Sequence, residues 1–214
     1  MPIREKLAKR ARKAGFALTF DVISGLEAYF ELLRRWNEKI SLTSLPTAET
    51  GDEAVDRLLL EPLIAARYLP SSTSSIMDIG SGGGSPAIPM KLFRSSVAMR
   101  MVESKVRKSA FLREVIRQLN LDRTFVESAR FEELLARPEL HESADVVTMR
   151  AVRVDPKTLM GLQAFLKPGG LLFLFRSGSM GGEAGLVGPP FSWEATHDLL
   201  PELDSKLALF RKVT

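Results

Sequence analysis

Residues 76–89 read Ile-Met-Asp-Ile-Gly-Ser-Gly-Gly-Gly-Ser-Pro-Ala-Ile-Pro, and the fold turns on them. A short apolar run carries an acid, Asp78, and gives way to Gly80-Ser81-Gly82-Gly83-Gly84. The run reads as a buried strand. The glycines after it have no Cβ, so a ligand can touch bare backbone there. A second apolar run ends in another acid, Glu103. An acid about 20 residues past such a loop is where a ribose hydroxyl pair is held. Together the two features point to an adenosine-bearing cofactor.

Glycine spacing separates the possible cofactors. A dinucleotide loop needs G-x-G-x-x-G/A, and here Ser85 takes the third position. A pyrophosphate also wants free N–H groups at a helix start, and Pro86 and Pro89 each remove one. Asp78, Gly80, Gly82 and Gly84 fit instead the D-x-G-x-G-x-G loop of class I methyltransferases. Their donor, S-adenosyl-L-methionine, has no phosphate to cradle, so closeness matters more than donors. By spacing alone, a nicotinamide or flavin site and a ligand-free turn remain the alternatives.

The rest of the chain fits around this loop. Residues 1–70 read as helical: Leu26, Tyr29, Phe30, Leu33, Trp36 and Ile40 fall on one helix face, as packing residues, with charged residues opposite. Asp52 is placed to cap a following helix, and Pro62 predicts a kink or break in it. Residues 71–75 form a serine-rich loop. Beyond it strands at 75–79, 97–102, 124–127, 145–149 and 171–175 alternate with helices at 106–119, 131–136 and 158–166. Lys167-Pro168-Gly169-Gly170 ends the last helix. Gly181-Gly182 and Gly188-Pro189-Pro190 read as loops, and 192–197 and 207–212 as a closing antiparallel pair. The expectation is an α/β fold of the class I methyltransferase (Rossmann-like) type. A mostly parallel sheet carries helices on both faces. The chain divides into a helical extension, 1–70, and a cofactor-binding domain, 71–214. Asp78 to Gly84, Glu103, Arg130 with Phe131 and Glu132, and Arg150 all fall at strand ends, the edge where such sheets bind ligands.

Composition excludes several chemistries. The 214 residues contain no cysteine, which removes disulfides, thiolate zinc sites and cysteine nucleophiles. Two histidines far apart, His141 and His197, argue against a metal site. No apolar run reaches the ~18 residues of a membrane span, and the charged start lacks a secretory core. The expected location is cytoplasmic, with no membrane partner. Lys and Arg exceed Asp and Glu by 30 to 26. Two basic clusters stand out: Arg4, Lys6, Lys9, Arg10, Arg12 and Lys13, then Lys105, Arg107, Lys108, Arg113 and Arg117. Read functionally, they favour nucleic acid; read blandly, they are solvated helix faces. Gly188-Pro189-Pro190-Phe191 looks like the Pro-Pro motif of amino-group methyltransferases, but it starts with Gly and follows the wrong strand.

The motif order resembles the RsmG (GidB) family, bacterial methyltransferases of guanine N7 in 16S ribosomal RNA. The likeness rests on Trp36-Asn37, Leu42-Thr43-Ser44, the 78–89 loop with its Pro-x-Ile-Pro ending, Val102-Glu103-Ser104, Phe111-Leu112, Ser128-Ala129-Arg130-Phe131-Glu132 and Arg150-Ala151-Val152. The resemblance implies that Gly80, Ser85, Phe131, Glu132 and Arg150 touch S-adenosyl-L-methionine and that Glu103 holds its ribose. It implies 16S ribosomal RNA, or the small subunit, as partner. N7 already carries a free lone pair, so attack needs no general base. Arg150 is the candidate catalytic residue, gripping a phosphate, the cofactor carboxylate or the base edge. Its bland alternative is an ion pair with Asp145 or Asp155. Three segments depart from the family pattern: Arg57-Leu58-Leu59-Leu60-Glu61-Pro62 lacks a histidine and has Glu rather than Asp as its acid, Ser41 replaces an asparagine, and Phe175-Arg176-Ser177-Gly178 replaces Lys-Gly. These leave the cofactor loop intact. They open two further readings, a divergent methyltransferase with another substrate and a non-catalytic cofactor binder.

Overall fold

The computed structural model describes residues 2–47, 52–150, 155–177 and 188–213. The Gly181-Gly182 loop and the Ala151-Val152 part of the last motif lie outside them. Among the described residues a seven-stranded sheet runs in the order β3-β2-β1-β4-β5-β7-β6. The strands are β1 (Ser75–Ile79), β2 (Ala98–Val102), β3 (Thr124–Glu127), β4 (Ala144–Arg150), β5 (Leu166–Ser177), β6 (Phe191–Leu200) and β7 (Ser205–Lys212). The first five pair in parallel, and β7 is antiparallel to both β5 and β6. The expected α/β class is therefore the observed one.

Side-chain alternation explains why these strands read as unbroken apolar runs. Ile76, Val146, Leu171, Phe173, Leu207 and Leu209 belong to one buried cluster. Their chain neighbours Met77, Val147, Leu172, Leu174, Ala208 and Phe210 belong to another, on the opposite face. On the first face pack α1 (Ile3–Lys13), α2 (Phe20–Asn37), α4 (Glu61–Ala66), α5 (Ala87–Phe93) and α6 (Val106–Leu119). On the second lie α7 (Phe131–Leu134) and α8 (Pro156–Leu162). Phe173 is fully buried; truncating such a residue to Ala costs about 3–5 kcal/mol.

Several boundaries moved for physical reasons. Leu166 of β5 already pairs with Ala144, and a register shift before Val146 accommodates Pro168 and Gly169, the latter at φ +73°. The segment expected to be a helix stop is therefore a bulge inside a strand. Helix α8 starts earlier than expected because the Asp155 side chain caps it, accepting from Thr158 N at 2.7 Å, with Pro156 at the first position. It also ends earlier, at Leu162.

Pro62 has a larger effect than a kink. A short helix, α3 (Asp52–Val55), passes into a π-turn over Asp56–Leu60 before α4, and Glu61 N donates to Asp56 O, five residues back. The Arg57 carbonyl thereby loses its usual donor. Pro62 has no N–H for the Leu58 carbonyl. Both carbonyls are used elsewhere, as the site shows.

Candidate cofactor and substrate site

The loop between β1 and α5 takes its shape from three left-handed glycines, Gly80, Gly82 and Gly84, at φ +74°, +53° and +89°. Gly80 N and Ser81 N both donate to Val102 O, at 2.9 and 3.1 Å, tying the loop to the end of β2. From α2, the Tyr29 hydroxyl donates to Gly83 O at 2.6 Å. Burial pushes that phenol far above its ordinary range, so it stays a donor. Gly83 is wedged: a Cβ there would meet Leu33 at 3.0 Å and Leu42 O at 3.4 Å.

Glu103, at the end of β2, is 7% exposed. Its carboxylate accepts from Gly82 N and from Lys105 N, both at 2.8 Å. Two oxygens offer about four lone-pair sites. Room for a pair of hydroxyl donors therefore remains. Asp78 is 1% exposed and lies beneath the loop. Thr148 Oγ1 donates to its Oδ1 at 2.5 Å, whereas Oδ2 is buried with no partner among the described residues. Burial, opposed by the Thr148 bond, pushes its carboxyl up to about 6.

Arg150 ends β4. It does not pair with Asp145, which takes Lys167 at 2.6 Å instead. Its partner is Glu61, 2% exposed, on the far wall. Nη1 also donates to the Arg57 carbonyl at 2.5 Å and approaches Ser85 Oγ at 3.4 Å, while the guanidinium sits 5.6 Å from the Phe175 ring centre. Ser85 Oγ in turn donates to the Leu58 carbonyl at 2.9 Å. The two carbonyls disturbed by the π-turn and Pro62 thus fasten the glycine loop and the β4 end to the N-terminal helices. A guanidinium has five N–H groups. Three acceptors are engaged, which leaves Nε–H and one Nη2 hydrogen for a ligand. Burial raises the Glu61 carboxyl, against the opposing pull of Arg150.

These groups surround a cavity of about 620 Å³. Gly80, Gly82, Ser85, Glu103 and Arg150 line it, as the sequence suggested. Asp78 sits behind the wall. Phe131 and Glu132 are not among the lining residues; the Phe131 ring packs toward α8, 3.0 Å from where a Gly161 Cβ would stand, and Glu132 is exposed. Sequence reasoning missed Tyr29, Arg57 and Glu61. The turn Leu42-Thr43-Ser44-Leu45, read from sequence as a family motif and not as part of the site, closes the cavity and is held by Asn37 Oδ1, accepting from Leu42 N and Thr43 N at 2.9 and 3.0 Å. The Trp-Asn motif was the available signal, since Asn side chains cap turns.

The N-terminal basic cluster is largely spent on structure. Arg4 pairs with Glu27, Lys6 and Arg10 with Asp52, Arg10 also with Asp56, and Lys13 with Glu202. By contrast Lys105, Lys108 and Arg176 line the cavity without a salt bridge among the described residues. No helix among those residues is long and apolar enough to cross a membrane.

Comparison with known proteins decides the family. The model of the GidB family, rRNA small subunit methyltransferase G, matches residues 22–184. The chain belongs to this family. Proteins named ribosomal RNA small subunit methyltransferase G are similar over part or most of the chain: one from Roseiflexus sp. is 38% identical over 69% of this chain and 62% of its own length, and one from Xylella fastidiosa is 34% identical over 87% and 85%. Among solved structures, a SAM-dependent methyltransferase from Aquifex aeolicus superposes with a TM-score of 0.56 at 12% identity, over 78% of this chain and 96% of its own. The [4+2]-cyclase SpnF superposes with 0.57 at 16% identity, over 76% and 82%. The same fold serves different chemistry, so the family match carries the function and the fold does not. Membership of the GidB family makes S-adenosyl-L-methionine the cofactor, and the site fits it: a glycine cradle open at Gly82, where a Cβ would meet nothing nearer than Gly80 O at 3.7 Å, beside an acid with spare acceptor sites.

Proposed function

We propose that this GidB-family chain methylates N7 of a guanine in 16S ribosomal RNA of the small subunit, in the cytoplasm. The observation that carries the reading is the position of the cavity. It lies between the glycine loop on one side and the N-terminal helices on the other, within the stretch matched by the family model.

When bound, S-adenosyl-L-methionine supplies an electrophilic methyl group on a sulfonium. Glu103 would accept from the ribose hydroxyls, and Gly80 and Gly82 would let the donor lie against main chain. Phe131 and Glu132 would serve the adenine end only if α7 approaches on binding. Asp78 acts from beneath, by holding the loop through its strand end. Arg150 offers its two spare N–H groups to a carboxylate, a phosphate or the base edge, and Glu61 fixes its direction. Guanine N7 needs no proton removed, so the chain's task is alignment, with reacting atoms held about 3–3.5 Å apart. Lys105, Lys108 and Arg176 at the rim favour an anionic substrate. The helical segment 1–70 supplies the substrate-side wall.

Incubating the protein with methyl-labelled donor and either small subunits or naked 16S RNA, then digesting to nucleosides, tests this. Label in 7-methylguanosine is expected. The second reading, another substrate, draws support from the 57–62 and 175–178 segments, which depart from the family pattern and contribute Arg57, Glu61, Phe175 and Arg176 to the cavity. Label in a different product favours it, and cofactor binding without transfer favours a non-catalytic binder.

A further inference from the structure

A second cavity, of about 470 Å³, follows the first along the contact between α2 and α6. Leu32 and Arg107 line it, whereas their chain neighbours Leu33 and Lys108 line the first. Its floor is apolar: Leu32, Trp36 and Ile40. Its rim is cationic: Arg35, Lys39 and Arg107. None of the three makes a salt bridge among the described residues, unlike the paired cations of α1. Trp36 is only half-buried, and its ring meets Phe111 at 5.7 Å and 59°, so the core holds the indole still while it borders the cavity.

A fixed indole beside three cations outside any described salt bridge, of which Arg35 is near enough to Glu114 to help lower its carboxyl, suits a ligand that is planar and anionic at once. An apolar peptide would leave the charges unused, and an acidic one would leave the indole unused. A nucleotide uses both, its base stacking on the ring and its phosphate meeting the cations.

We propose that this cavity holds a nucleotide flanking the methylated one, its base on Trp36 and its phosphates against Arg35, Lys39 and Arg107. The inference rests on the RNA reading of the first cavity. The substrate strand then crosses the start of α6, passing Lys105 and Lys108 between the two cavities. The volume suits one such group, since ligand cavities run from about 300 to 1,000 Å³.

The chain has two tryptophans, so Trp193→Phe leaves Trp36 as the sole indole reporter. Titrating this variant with a short single-stranded RNA oligonucleotide should quench its emission saturably. Trp36→Leu should weaken RNA binding about 5- to 150-fold, the range of a lost base stack, whereas Trp36→Phe should keep most of it. Arg107→Ala should weaken binding and lower the salt slope by about 0.7, one phosphate contact on a single strand. S-adenosyl-L-methionine affinity by calorimetry should be unchanged in all four variants, which also reports that they fold. Unquenched Trp36 at saturating RNA, or an unchanged salt slope in Arg107→Ala, overturns the proposal. So does quenching by a subunit protein but not by RNA. Label in 7-methylguanosine with a silent Trp36 overturns this proposal alone. Quenching by RNA without that label overturns the guanine reading and leaves the second cavity an RNA site.

Discussion

The Tyr29 hydroxyl donates to the Gly83 carbonyl at 2.6 Å, so a helix from the first 40 residues holds the cofactor loop in shape. The phenol is fully buried, whereas Gly83 is half-buried and lines the cavity. Tyr29→Phe removes the donor, a net loss of about 0.5–1.5 kcal/mol because the half-buried acceptor can still reach water. Thermal unfolding should show a lower Tm, and calorimetry a weaker affinity for S-adenosyl-L-methionine. Equal affinity would mean that the loop keeps its shape without α2.

Arg150 and Glu61 form a mostly buried pair, 18% and 2% exposed at their side chains. Removing one partner strands the other charge, at a cost of about 3–5 kcal/mol. Arg150→Ala should therefore lose both stability and transfer. Arg150→Met with Glu61→Leu should recover stability in urea unfolding but not transfer. Recovered transfer would show that Arg150 is structural only.

Gly82 and Gly84 should respond differently to alanine. At Gly82 the new Cβ has open space, so the fold loses only the left-handed backbone strain, about 1–2 kcal/mol, while the methyl intrudes on the cradle. At Gly84 the Cβ would stand 2.9 Å from Ile88 Cγ1 and 3.3 Å from the Tyr29 hydroxyl. Unfolding and calorimetry on both variants should show Gly84→Ala as the less stable protein and Gly82→Ala as a folded one with impaired cofactor binding.

Asp78 makes stability depend on pH. Its folded pKa of about 6 lies above its ordinary 3.8. As pH rises, the unfolded chain gives up this proton first, so the contribution of Asp78 to stability falls between about pH 4 and pH 6. Asp78→Asn removes that loss, worth about 3 kcal/mol at neutral pH. The variant's Tm should exceed the wild type's by several degrees at neutral pH, with the gap closing below pH 4. A constant gap would place the charge elsewhere.

The strands 75–79 and 124–127 and the helix 106–119 could be read residue for residue, because apolar runs with clear ends leave little choice. Glu103 was equally visible, since its distance from the glycine loop is set by one strand–helix–strand unit. The far wall was not. Glu61 looks like any helix acid until a π-turn and Pro62 disturb the Arg57 and Leu58 carbonyls, and that depends on Arg150 and Ser85, about 93 and 27 residues later. Tyr29 was assigned to packing, which its ring does; nothing in an aromatic stripe says where a hydroxyl points. The 1–13 cations read either as a nucleic-acid site or as a solvated face, and their ion pairs stayed hidden because the acids, at 27, 52, 56 and 202, are distant in sequence.

A crystal structure with S-adenosyl-L-methionine bound tests the central claim most directly. The account predicts the nucleoside in the 620 Å³ cavity, with its ribose hydroxyls on the Glu103 carboxylate. Finding it lodged elsewhere, with Glu103 still bound only to Gly82 and Lys105, would contradict that claim.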